Sequence, residues 1–460
     1  MKLPALAISL SLLISSCSLT PEFHKPVVPT PSQFAPEYGF AQVKDNDYQP
    51  STTWWESFQD THLNQLEKQI SQNQNEVAAL ARLDETRAQL KAAYGALLPS
   101  ATLSASSSNL QLSKHRATYF PGFPNRYTDQ QLTAQIGWEP DIFGRLHAQL
   151  RIAHNLEKAS QYDLRGLQLT LQSQLARAYF QLVSLSNQLK EQQQLVDDQT
   201  QYLALIQDKF NAGDALQRDL DQAQLPLQAL LENQDQTKHL IALQEHIIAL
   251  LIGQPATAYH PEISDHLTET PLPHSLPSSL LQQRPDIALA EQEVEIANEQ
   301  IGLARTAYFP QFELGVSGGY ESSALNNLIS APSELWALGA SAAITLFDGG
   351  QRKALTQQAR SRYEETVANY RQTVLNAYKE VEDDLNSLRQ IKAQTQHQQQ
   401  AISLAQDQLR QASLSEQGGM GTALDVLTER LNVENQQLLM TALVAEQADA
   451  EVRLLEALGR

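Results

Sequence analysis

The chain has 460 residues, with 33 Lys and Arg against 52 Asp and Glu and a formal charge of −19 at pH 7. That acidic balance argues against a nucleic-acid binder, whose partner's phosphates require a basic surface. A single cysteine excludes an internal disulfide and a cysteine-held metal cluster, and a hydrophobic content of 42% argues for a folded body over a disordered chain.

Lys2 precedes an apolar run from Leu3 to Ile14, closed by Ser15-Ser16-Cys17. A charged start, a short apolar stretch and small residues at its end describe a secretory signal over residues 1–16, too short for a membrane span. Cys17 stands where a bacterial lipoprotein signal is cut, and the stretch resembles a lipobox with Ile14 in the place of the more usual leucine. Ser18 rather than an aspartate follows it, which by the same resemblance implies export to the outer membrane. A covalent lipid on Cys17 is the only attached group expected, with no other cofactor. Residues 17–62 then read as a proline-rich extended arm lying along the body, anchored by Trp54, Trp55 and Phe58.

From Leu63 to Leu98 the apolar spacing predicts one helix, ended by Pro99. Residues 100–138 predict a hairpin. Leu103 and Ala105 alternate with serines, a polar loop with Pro121-Gly122 follows, and Leu132, Ala134, Ile136 and Trp138 alternate with Gln131, Thr133 and Gln135. Each strand is near the length of a tilted transmembrane strand. Leu146 to Phe210 contains no proline and steps apolar residues by three or four, from Leu164 through Leu189, which predicts a rod of roughly 100 Å at about 1.5 Å per residue. Asn211-Ala212-Gly213 breaks it, and a second helix through Leu216, Leu220 and Ala223 runs back, with a kink expected at Pro226. Residues 253–284 form a proline-rich connector.

The sequence then starts over. Leu90, Ala93, Ala96 and Pro99 match Ile301, Ala304, Ala307 and Pro310 at an offset of 211; Phe143 matches Phe347 at 204; Gly213 and Asp219 match Gly419 and Asp425 at 206. Shared order at nearly one spacing indicates an internal duplication. The first repeat covers residues 63–252 and the second 285–460, with its own hairpin over 311–347, a rod through Val367, Tyr370, Val374 and Val381, a glycine turn and a last helix. No apolar stretch after the signal is long enough for a transmembrane helix, so the strands must span any membrane the chain crosses. Four strands cannot close a ring alone, and an open edge in lipid is very costly, so partner chains are required.

Across nearly its whole length the sequence resembles the TolC-like outer-membrane factors of tripartite efflux pumps, in the lipoprotein branch called NodT-like. The resemblance rests on Cys17 and its arm, Glu139-Pro140-Asp141-Ile142-Phe143-Gly144-Arg145, Arg284-Pro285-Asp286-Ile287, Ile301-Gly302, Phe309-Pro310, Leu346-Phe347-Asp348-Gly349-Gly350 and Leu424-Asp425-Val426-Leu427. It implies an α+β membrane protein: a homotrimer whose chains give four strands each to a twelve-stranded outer-membrane β-barrel, continued by a long periplasmic α-helical barrel. It also implies a periplasmic adaptor protein and an inner-membrane pump, commonly of the resistance-nodulation-division (RND) type, as partners. The function implied is a passive exit duct for small molecules, drugs being the usual cargo. Two alternatives stay open: a coiled-coil scaffold lipoprotein of the envelope, and the same channel serving protein or metal-ion export.

By the resemblance, the periplasmic gate lies around Leu424, Asp425 and Thr428, with Asp219 at the matching turn of the first repeat. Thr428 stands where the family often has an acid. The alternative for Asp425 and Asp219 is a structural one, complementing the positive end of a helix beside a glycine turn. The eleven histidines form no ligand set, and no nucleophile elbow or phosphate loop is present, so no enzymatic activity is expected.

Overall fold

The computed structural model describes residues 18–29, 53–122, 124–257, 259–265, 267 and 283–459. The signal, Cys17 and most of the proline-rich connector lie outside the described residues. The elements in order are α1 (Thr61–Glu67), α2 (Gln74–Gly95), β1 (Ser100–Gln111), β2 (Arg126–Trp138), α3 (Arg145–Ala212), α4 (Gln217–Leu251), α5 (Pro285–Thr306), β3 (Gln311–Ser322), β4 (Glu334–Ala343), α6 (Gln351–Gln417) and α7 (Ala423–Ala457). The chain divides into two compact units, one of residues 1–27, 82–161 and 289–370 and the other of residues 28–81, 162–288 and 371–460.

In the first unit the two hairpins join into one four-stranded antiparallel sheet, ordered β1-β2-β3-β4. Residues 18–27 lie extended along α5. Thr20 Oγ1 donates to Glu299 Oε2 at 2.8 Å, Arg151 holds the same carboxylate at 2.8 and 2.9 Å, and Asn298 donates to the Pro21 carbonyl at 2.8 Å. A side chain at Gly302 would run into Thr20, so the glycine is what lets the arm lie this close. At the strand-to-helix corners short acids cap the long helices. Asp141 accepts from the His147 N–H at 2.7 Å, and Asp348 from the Gly350 and Arg352 N–H groups at 3.0 and 3.1 Å.

The second unit holds an apolar core. Trp54, Trp55 and Phe58, in a short 3-10 turn, pack with Leu63, Leu66 and Ile70 against Leu171, Leu175, Tyr179 and Leu182 of α3, Ile248 and Ile252 from α4 and its end, and Val452 and Leu455 of α7. The apolar anchor expected at the foot of the arm is therefore core. Tyr179 sits fully buried there and donates to Asp60 Oδ2 at 2.8 Å. The buried stripe of α6 in this unit runs Val374, Ala377, Val381, Leu385 and Ile391, at three- and four-residue steps with one six-residue stride.

Two expectations need correction. The single helix expected over 63–98 is two helices with a 3-10 turn at Ile70–Gln72 between them. Asn73 causes the break: its Oδ1 accepts from the Asn75 N–H at 2.9 Å while its Nδ2 donates to the Leu251 carbonyl at 2.9 Å, so it restarts α2 and ties it to the end of α4. Leu216, expected on the buried stripe of the returning helix, instead precedes it and is exposed, with Ala223 the first fully buried apolar residue. Pro226 lies inside α4 on an exposed face.

Candidate functional site

Directly opposed residues of an antiparallel ladder share a face, so the register assigns each strand residue to one side of the sheet. One face carries the rows Ala101, Ile136, Val316, Leu338 and Leu103, Ala134, Gly318, Trp336, with Trp138, Leu314 and Ala340 on one side of them and Ala105, Leu132 and Tyr320 on the other. The opposite face carries Ser100, Gly137, Gly315, Gly339, then Thr102, Gln135, Ser317, Ala337, and Glu313 facing Ser341. Over these rows one side is apolar and the other small and polar; toward the hairpin loops the division ends, with Glu334 opposite Tyr320 on the first face and Leu335 opposite Gly319 on the second. The first strand's weak alternation could not fix its faces in isolation; pairing with β2 does. On the single chain the apolar face is bare: Trp336 is 80% exposed and Leu338 77%. Among the described residues no helix is long and apolar enough to cross a membrane.

The gate candidates lie in the second unit at two matching turns. Gly213 and Gly419 both take positive φ, 86° and 73°, a conformation that a side chain resists. Thr422 caps α7. Its Oγ1 accepts from the Asp425 N–H at 3.3 Å, and Asp425 Oδ2 accepts from the Thr422 N–H at 2.8 Å, a reciprocal capping box. At the other turn Asp219 Oδ2 accepts from the Leu216 N–H at 3.0 Å, and Leu216, having no side-chain oxygen, returns nothing. The bonds from Thr422 hold the Asp425 carboxyl below its usual range, and the Leu216 N–H followed by Arg218 does the same for Asp219. Both acids are therefore ionised caps at neutral pH. Asp425 and Thr428 are exposed, Thr428 Oγ1 donating to the Leu424 carbonyl at 2.8 Å, while Leu424 is half-buried. Arg430 and Asp198, one and a half turns further along α7 and on α3, meet at 3.4 Å.

Arg284 is a structural tie within the second unit. Its guanidinium is buried and donates to Asp286 at 3.0 and 2.9 Å, to Glu380 at 2.8 Å and to the Ala457 carbonyl at 2.7 Å, tying the start of α5 to α6 and the end of α7. Beside it Arg177 and Arg453 both reach Asp449, and Arg453 also reaches Asp384 at 3.3 Å. Burial pushes the Asp384 carboxyl up to about 6 despite Arg453. No local motif announces this network, because its members come from four helices far apart in sequence. No group of metal-ligating side chains occurs among the described residues.

A family model described as outer membrane efflux protein matches residues 66–254 and 276–460. The chain is 26% identical over 457 residues to the probable efflux pump outer membrane protein TtgC of Pseudomonas putida strain KT2440, covering 97% of this chain and 93% of that one. It is 28% identical over 460 residues to the cation efflux system protein CusC of Escherichia coli strain CFT073, covering 98% and 96%. Among solved structures the outer membrane channel CmeC of Campylobacter jejuni has the same fold, with a TM-score of 0.86 at 22% identity over 96% of this chain and 95% of that one.

Proposed function

This chain belongs to the outer membrane efflux protein family, and from that premise we propose that it is the exit duct of a tripartite efflux system, closed as a trimer in which each chain lends β1 to β4 to a twelve-stranded barrel. It is an outer-membrane component of efflux, working with an adaptor and an inner-membrane pump. The observation that carries the barrel is the division of the sheet into one apolar and one polar face with both edges, β1 and β4, unpaired within the chain. Lipid tolerates no open edge, so the edges must meet those of other copies, with Trp336 and Leu338 outward and Glu313, Gln135 and the serines lining the water-filled path. The scaffold alternative leaves that two-faced sheet without a purpose.

Cys17 would carry the lipid anchor at the start of the arm. Leu424, Asp425, Thr428 and Asp219 form the proposed periplasmic constriction, in which threefold symmetry would bring three Asp425 carboxylates around the axis and favour cations. Each of these acids serves as a cap as well, so the gate reading adds to the structural one. The cargo is proposed to be small toxic molecules or drugs; a relative named for cation efflux makes metal ions the competing cargo. With a cognate adaptor and an RND-type pump, the chain should lower dye accumulation in cells lacking their own outer-membrane factor. Unchanged accumulation, with the trimer present in the outer membrane and the other two components active, would overturn the duct.

A further inference from the structure

The duplication places in one chain a copy of the contact that must form between chains. Within the sheet, repeat one meets repeat two where β2 pairs with β3. Just beyond that pairing, at the strand-to-helix corner, Phe143 stacks on Phe309 with ring centroids 4.7 Å apart and reaches Phe312 at 6.4 Å. The residue ending one strand pair's helix corner is thus clamped by the residues that begin the next.

In the second repeat the counterpart of Phe143 is Phe347, at the corner following β4. It has no such seat in its own chain and stands 89% exposed, with Leu346 beside it at 88%. By the offset of 211 that aligns Pro99 with Pro310, the counterparts of Phe309 and Phe312 are Leu98 and Ala101, at the corner leading into β1. Both are exposed, Leu98 at 55%, with the Trp138 indole nearby donating to the Leu97 carbonyl at 3.0 Å. An exposed plug therefore sits at one free edge of the sheet and an exposed seat at the other. Contact between different patches of identical subunits is heterologous, and closes a ring when the rotation allows.

We infer that Phe347 of one chain docks on Leu98 and Ala101 of a second copy of this chain, locking the β4–β1 seams of the barrel as Phe143 locks β2–β3 within each chain. The inference rests on the trimeric duct proposed above. Leu98 and Ala101 are smaller than the two phenylalanines they replace, so the seam is a ring on an aliphatic shelf instead of a stacked aromatic pair. That makes it a looser clasp than the internal one, made once per seam. Its parity is also right: Leu103, Ala105 and the β4 residues Leu338, Ala340 and Ala342 lie on the same apolar face, so pairing β4 to a neighbouring β1 in the way β2 pairs β3 keeps that face outward.

The test is a chain carrying Phe347→Cys and Leu98→Cys together, treated as purified trimer with a short bis-maleimide and run under denaturing conditions. Linked dimers and trimers are expected from the double variant and monomers only from each single variant. A trimer of the right mass whose two thiols both react with a monofunctional maleimide, yet give no linked chains, would overturn the seam. A wild-type chain that stays monomeric in detergent would overturn the shared barrel itself, a separate failure. Should the double variant not assemble, Phe347→Ala and Phe347→Leu decide. The alanine variant is expected to fall apart to monomers at a lower temperature than wild type while the leucine variant stays close to it, and an alanine variant as heat-resistant as wild type would refute the lock.

Discussion

Neighbouring residues of one strand give the sharpest test of the two-faced sheet. Leu338 lies in the apolar row with Ala101, Ile136 and Val316, and Ala337 lies one residue away on the polar face in the row with Thr102, Gln135 and Ser317. Arginine on the lipid side near the bilayer midplane costs about 2–4 kcal/mol, and a trimer repeats the change three times, so Leu338→Arg should destabilise the assembly by about 6–12 kcal/mol. Loss of the leucine's own burial in lipid adds to this. Ala337→Arg puts the same charge into water and should leave assembly intact while shifting ion selectivity toward anions. The assay is the yield of folded trimer in the outer-membrane fraction, followed by the temperature at which the purified trimer falls to monomers. Equal tolerance of the two variants, or a worse defect from Ala337→Arg, would refute the assignment of faces.

Thr422→Ala removes one half of the capping box and should weaken the start of α7 by about 1 kcal/mol, read as faster amide exchange over residues 422–428; unchanged exchange there would count against the cap. Asp425→Ala removes the other half and, if the three carboxylates ring the axis, should also reduce the preference for cations in single-channel recordings. The carboxyls of Glu434 and Asp198 face each other beside Arg430 and Asp197, and burial followed by the Asp198 charge pushes Glu434 up to about 7. A raised acid lends stability that is complete at low pH and is lost as pH rises through about 7, so amides at the α3–α7 contact should be less protected at pH 8 than at pH 6 once each rate is divided by that of an unstructured peptide at the same pH. Glu434→Gln should abolish that difference, and a pH response that survives it would assign the effect elsewhere. Arg284→Met deletes charge-assisted bonds to Asp286 and Glu380 and should lower stability by about 1.5–3 kcal/mol, seen as earlier thermal unfolding without altered conductance in the surviving trimer.

Most of the fold was legible because its signals are periodic and local. The rod expected over Leu146 to Phe210 is the helix Arg145–Ala212, and the alternating runs are strands of one sheet. What could not be read was whatever depends on a distant partner. The face of β1 is undetermined when Ser104, Ser106 and Ser107 are its only contrast to Leu103 and Ala105, and it is set by the ladder to β2. The break at Asn73 hinges on a hydrogen bond to Leu251, and the buried role of Arg284 on acceptors from α6 and α7. At the turns, the glycine and aspartate spacing announced capped helices and a repeat, but a side chain's place relative to a threefold axis is a property of three chains, and no single sequence position encodes it.

The shared barrel is tested most directly by single-channel conductance of the purified protein in a planar bilayer, with its mass measured in the same detergent. Uniform conducting steps from a species of three chains are the expected result. A trimer that never conducts with its periplasmic turns free of Asp425 carboxylates, or a conducting species of any other stoichiometry, would contradict a duct built from four strands per chain.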